Sequence, residues 1–254
     1  MKGETLRNPP LIEAIFEMKW QLQESAPGLT HDPHYDLLIG RLYDRLERYY
    51  PFHQQLPAAS IPAEMLAGVV QHRFRTSQDK WPVFQVGPGV LTVNDTQEYT
   101  WDDFRARILE AVNTLFDVYP GPLTINNLVL RYVNAVEFEF DNENVFEFLR
   151  HQLKTDISLH PMLFEESGVQ KSPVSLDCRF TLKCNQPEST INLRFARGNK
   201  QNLDALFWET FVATSLDHIP ELPSELEKWL QDSHNVLEDW FFKLVEGDLL
   251  RSFE

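Results

Sequence analysis

Long apolar runs are missing from this chain. No stretch approaches the roughly 20 residues that a membrane-spanning helix needs, and the opening MKGETLRNPP holds no apolar h-region. No secretory signal and no membrane partner are therefore expected. Cysteine is scarce: Cys178 and Cys184 are the two in 254 residues. Six apart on one anticipated strand, they share a face but stand too far apart to bridge, because a strand advances about 3.3 Å per residue. They read as small core hydrophobes in a reducing compartment, which makes the cytoplasm the expected location. Glycine is also scarce, with ten in all. GxSxG, GxGxxG, Walker-type and HExxH patterns are all lacking. The histidines of "HDPH" (His31, His34) sit at a helix start, and His151 and His160 share no ligand spacing. No catalytic residue, no metal site and no cofactor is assigned, and the reading leans away from an enzyme. Basic residues are outnumbered, 23 Lys and Arg against 38 Asp and Glu, for a net charge of −15. From Leu203 onward 12 acidic residues face Lys228, Lys243 and Arg251. That balance disfavours nonspecific attraction to nucleic acid or anionic lipid.

What is present is ordinary for a folded protein: 43% hydrophobic and 12% aromatic residues, enough for a substantial core. In "RNPPLIEAIFEMKW", Pro9 and Pro10 cannot donate ladder hydrogen bonds, so a strand is expected to start at them. Beyond them Ile12, Ala14, Phe16, Met18 and Trp20 alternate with charged residues, the period of a two-faced strand. "THDPHYDLLIGRLYDRLERYYP" predicts a helix with Asp32 as N-cap, Leu38, Leu42, Leu46 and Tyr49 as its stripe, and Pro51 as its stop. Strands follow over Val69–Thr76, Val83–Val86 and Val90–Asn94, the last two joined by "GPG". A helix begins at Thr100, with Asp103 completing a near capping box. The order then recurs. Ile125–Phe140 is a strand, and "DNENVFEFLRHQL" a short helix capped by Asp141 or Asn142. Strands come at Val174–Cys184, Thr190–Ala196 and across Leu206–Thr214, and a helix runs from about Pro223 to Val245 with Ser224 as its cap. The fold class expected is α+β: two pseudo-repeated β-α-β-β-β-α halves, residues 1–121 and 122–254, with antiparallel strands and helices packed on one face. The halves could also form one continuous domain.

Parity then says what the other face carries. The apolar rows of the strands include Leu176, Cys178, Phe180 and Leu182, and also Ile191, Leu193 and Phe195. If helices cover those rows, the residual face presents Arg73, Arg75, Arg131, Arg179 and Arg194, interleaved with Glu13, Glu17, Glu137, Glu139 and Asp177. Such residues make cross-strand ion pairs worth a few tenths of a kcal/mol each. They also make a platform whose guanidinium forks suit an anionic ligand or an acidic segment. Asn134 breaks the pattern by falling on the apolar row, where a buried amide needs a bulge or a specific hydrogen bond. The candidate binding residues are accordingly Arg73, Arg75, Arg131, Asn134, Arg179 and Arg194.

Two stretches carry a resemblance. "NPPLIEA" (Asn8–Ala14) and "LRYVNAVEF" (Leu130–Phe138) resemble the paired hallmarks of a sporadically distributed, uncharacterised family of prokaryotic proteins. Its members open on an N-P-P-aliphatic-x-E-A strand and carry a central R-Y-x-N strand. The closing "LEDWFFKLV" is similar to that family's C-terminus. This chain departs at Ala135, where a basic residue is expected. The resemblance implies a prokaryotic cytoplasmic protein with no assigned reaction, scattered as accessory or defence-associated genes are. The functional expectation is a non-catalytic binding protein, an antitoxin, immunity or other accessory component, with a protein partner or self-association through the arginine face or the acidic C-terminal helix. One alternative is an enzyme on a phosphate-bearing substrate, with Arg131, Arg179 or Arg194 as anion clamp and Glu13 or Asp177 as acid/base. Another is a sheet-face nucleic-acid binder, against which the net charge argues.

Overall fold

Alternating apolar residues dominate the strands, and in the computed structural model they build one nine-stranded antiparallel sheet. The structure describes residues 6–61, 66–96 and 98–254. In chain order the elements are β1 (Leu11–Trp20), β2 (Gln23–Ala26), β3 (Leu29–His31), α1 (Tyr35–Leu46), β4 (Phe52–Gln55), β5 (His72–Arg75), β6 (Val83–Gly87), β7 (Val90–Asp95) and α2 (Trp101–Val118). Then come β8 (Ile125–Glu137), α3 (Val145–His151), β9 (Asp177–Asn185), β10 (Glu188–Lys200), β11 (Leu203–Ser215), α4 (Leu226–Val245) and α5 (Asp248–Arg251). The sheet order is β4-β5-β6-β7-β1-β8-β11-β10-β9, with β2 and β3 forming a separate hairpin. About the central β1–β8 pair, β7, β6 and β5 step outward on one side and β11, β10 and β9 on the other, with β4 added beyond β5. The recurring element order is thus laid side by side in one sheet.

Among the described residues, all five α-helices lie on one side. Ala14, Phe16 and Met18 of β1 and Leu128 and Leu130 of β8 are fully buried, in one core with α1, α2 and α4. A second core joins Phe195, Leu206 and Trp208 to α3, the end of α4 and α5. Each long helix offers a stripe at helical spacing, such as Phe104, Ile108, Val112 and Leu115 of α2. Among the described residues no helix is long and apolar enough to cross a membrane.

The two motif stretches meet. β1 and β8 pair antiparallel, and the register slips between Leu11↔Asn134 and Glu13↔Val133, leaving Ile12 as the extra residue of a bulge. Just before it, the Pro10 carbonyl accepts from the Ala135 amide at 3.0 Å, so the proline end stays anchored without donating.

Several local expectations need correction. Asp32 does not cap α1; His34 holds that position, without a side-chain cap bond. The Asp32 carboxylate accepts instead from Trp20 Nε1 (2.9 Å) and Tyr119 Oη (2.7 Å), which tie it to β1 and to the end of α2. Asn144, a few residues later than expected, caps α3. Ser224 turns back to donate to the Glu221 carbonyl rather than capping α4. Tyr49 lies beyond α1 and is exposed. Thr100 does cap α2, accepting from the Asp103 amide. Cys178 and Cys184 are free and only half-buried, because β9 is the sheet's outermost strand rather than a core one.

Candidate functional site

Register places every predicted arginine on one side. Arg131 lies opposite Phe211, and Arg194 opposite Glu209 on one flank and Arg179 on the other. Arg73 faces Gln85, and Arg75 faces Val83. None of these positions belongs to either apolar core. This is the helix-free face. Lys19, Lys183 and Lys200 share it by the same parity, so cations outnumber anions here although the chain is strongly acidic.

The arginines fall into two groups. Arg73 and Arg75 sit on β5, four strands from β8 and so about 19 Å away across the sheet. Arg73 opens a polar ladder. Its Nε donates to Gln85 Oε1 (2.9 Å), Gln85 Nε2 to Thr92 Oγ1 and Asn94 Oδ1 (3.1 and 3.0 Å), and Asn94 Nδ2 to Glu13 Oε1 (2.8 Å). Gln85, Thr92 and Asn94 are buried even on this side. The chain before β5 closes over the hairpin here: a Cβ on Gly87 would stand 1.9 Å from the Val69 carbonyl oxygen. Desolvation lowers the Arg73 pKa from its usual range. Arg75 spends Nη1 on the Gln78 carbonyl (2.6 Å) and lies 5.6 Å from the Trp81 ring. These contacts make β5–β7 a structural ladder.

The second group is more open. All three nitrogens of Arg194 are engaged: Nε and Nη2 clasp Asp177 at 2.8 and 2.7 Å, and Nη1 reaches Glu209 at 2.8 Å. That fork holds the Asp177 carboxyl below its usual range and the Arg194 guanidinium above its own. Arg131 lies 4.7 Å over the Phe211 ring, touches Glu209 only at 3.8 Å, and has a buried Nε with no acceptor among the described residues. Arg179 is exposed and makes no ion pair within 4 Å among the described residues. Phe207 and Phe211 flank Glu209 on β11 as half-buried rings. Gly198 opposes Ala205 beside them, and a Cβ on it would stand 2.9 Å from the Phe207 ring, so the glycine seats that ring on the sheet. Sequence reasoning missed Phe207, Glu209 and Phe211 because β11 is apolar on both rows.

Asn134 is on the other side. It faces Trp208 beneath the helices and is 2% exposed; neither its Nδ2 nor Trp208 Nε1 has an acceptor among the described residues. The bulge expected there is present, in β1, but the amide donor's expected hydrogen bond is not. Asn134 therefore does not join the arginines. Two residues earlier, Tyr132 begins a buried polar chain: its hydroxyl lies 2.9 Å from Tyr99 Oη and 2.9 Å from His234 Nδ1, and His234 stacks on Trp101 with ring centroids 3.9 Å apart. Burial pushes His234 down to about 4 and both tyrosines up. Burial also raises Asp95, which pairs with Ala14 on this helix side. No group of three His, Cys, Asp or Glu side chains among the described residues is placed to hold a metal. Comparison with protein-family models, with curated proteins and with solved structures finds no match.

Proposed function

We propose that this chain is a non-catalytic binding protein that holds an acidic segment of a partner protein against the β8–β11–β10–β9 part of its helix-free face. One observation carries the reading. Arg194 satisfies both nearby carboxylates, Asp177 and Glu209, and leaves the guanidinium donors of Arg131 and Arg179 unspent on an aromatic-floored surface. A guanidinium has five N–H donors in a planar fork, and a carboxylate fits it in two-pronged fashion. Acid/base chemistry on this face has less support: Asp177 is held in its ionised form, and Asp95, whose carboxyl is raised, lies beneath the helices. Holding a partner without transforming it suits the accessory, antitoxin and immunity roles expected from the sequence.

The test is a fluorescence-anisotropy titration of labelled poly-L-glutamate, with a duplex oligonucleotide as the comparison anion. Wild-type protein binds the polypeptide, and Arg131→Ala/Arg179→Ala weakens it by at least about tenfold. Equal binding by both proteins, or a preference for the duplex, would overturn the reading.

A further inference from the structure

β9 is the terminal strand of the sheet and, among the described residues, pairs with β10 alone. Such an edge presents free N–H and C=O groups, and proteins ordinarily blunt it by shortness, proline, a bulge or a covering segment. The opposite edge obeys: β4 is four residues, FHQQ. β9 does not. It runs for nine residues, carries no proline and keeps unbroken register with β10. On its helix side Phe180 is 40% and Leu182 48% exposed, with no helix over them. The segment leading into it also exposes Leu159, Met162, Leu163 and Val174. Neighbouring apolar side chains exposed along an unpaired edge, as Phe180 and Leu182 are, mark an interface.

We infer that β9 is where a second copy of this chain docks, the two β9 strands pairing antiparallel about a twofold axis through Phe180. Charge chooses both the occupant and the register. With Phe180 opposite itself, each Asp177 faces the second copy's Lys183 and each Cys178 its Leu182, so opposite charges meet on one face and apolar side chains on the other. An axis through Thr181 would set Arg179 against Lys183 twice, and an axis through Arg179 would set that residue against itself. An axis through Leu182 brings no opposite charges together. An axis through Cys178 also faces Asp177 with Arg179 but pairs only 177–179 of the strand, so among registers that pair most of β9 the one through Phe180 alone brings opposite charges together.

Light scattering coupled to size exclusion, on the full chain at micromolar concentrations, tests this. Wild-type protein elutes at twice the monomer mass. Phe180→Lys/Leu182→Lys, which alters two exposed side chains and keeps the wild-type circular dichroism, elutes at the monomer mass. In a Cys178→Ser/Cys184→Ser background, Phe180→Cys forms an interchain disulfide under mild oxidation and Thr181→Cys does not, because only directly opposed residues come within bridging distance. A monomeric wild type would overturn the proposal and leave this edge to a strand of some other protein. So would a double-lysine variant that keeps the doubled mass, or cross-linking at position 181 in preference to 180.

Discussion

Asp32 shows how much a single side chain can organise. It is 8% exposed and accepts from the Trp20 indole, the Tyr119 hydroxyl and the His34 amide, joining β1, the end of α2 and the start of α1. Replacing it with alanine strands two side-chain donors, each costing on the order of 1–3 kcal/mol when buried without a partner. Asp32→Ala is therefore expected to lose about 2–4 kcal/mol in urea unfolding. A loss under about 0.5 kcal/mol, the usual effect at a surface position, would show that the network carries no weight. His234 sets a pH dependence. Its folded pKa, about 4, lies below the roughly 6.5 of an unfolded histidine, with burial as the first cause and Arg105 as the second. Between those values the unfolded chain binds a proton that the folded chain refuses, so stability falls as pH drops from about 6.5 towards 4. His53 and His72 are lowered by burial and add in the same direction. His234→Gln should show a smaller drop in melting temperature between about pH 7 and pH 4.5 than wild type. An unchanged drop would remove His234 from the account.

At the scale of elements, two glycines separate close packing from helix propensity. Gly87 ends β6 where a Cβ would collide with backbone at Val69, so Gly87→Ala should cost about 1–3 kcal/mol or more. Gly40 lies within α1 with nothing within 4 Å of where a Cβ would stand, and Gly40→Ala should stabilise by roughly 0.5–1 kcal/mol. Thermal melting of both variants checks the pair of opposite signs; like signs would contradict it. Legibility at this scale follows alternation. β9 and β10 alternate cleanly and β1 and β8 with a few exceptions such as Ile15 and Asn134, so their faces can be assigned from the chain alone. β4, with the single apolar residue Phe52, gives no period to detect, and the short β2–β3 hairpin gives none either. β11 has Leu206 and Trp208 on one row and Phe207 and Phe211 on the other, so period two cannot choose its buried side. The apolar row of β9 reads as core because alternation reports a face, not a position in the sheet, and the strand order leaves Phe180 and Leu182 at the rim.

For the whole molecule, strand order decides which arginines can act together. Parity in the sequence puts five on one side, but it cannot say that three strands lie between Arg73 and Arg131, nor that the chain before β5 closes over the hairpin between them. Nor can it anticipate that Arg194 is engaged at all three nitrogens, by Asp177 from one neighbouring strand and Glu209 from the other. Asn134 is legible as an anomaly, a polar residue on an apolar row, but its meaning is not: it marks the bulge where the two motif strands slip past each other.

The proposal that partners are held on the guanidinium-bearing side is tested most directly by labelling with phenylglyoxal, read residue by residue by mass spectrometry, with and without saturating poly-L-glutamate. The account predicts that Arg179 and Arg131 react in the free protein and are shielded together by the polypeptide, while Arg41 and Arg105 on the helix side label equally in both states. Shielding of Arg41 or Arg105, with Arg131 and Arg179 unchanged, would contradict it.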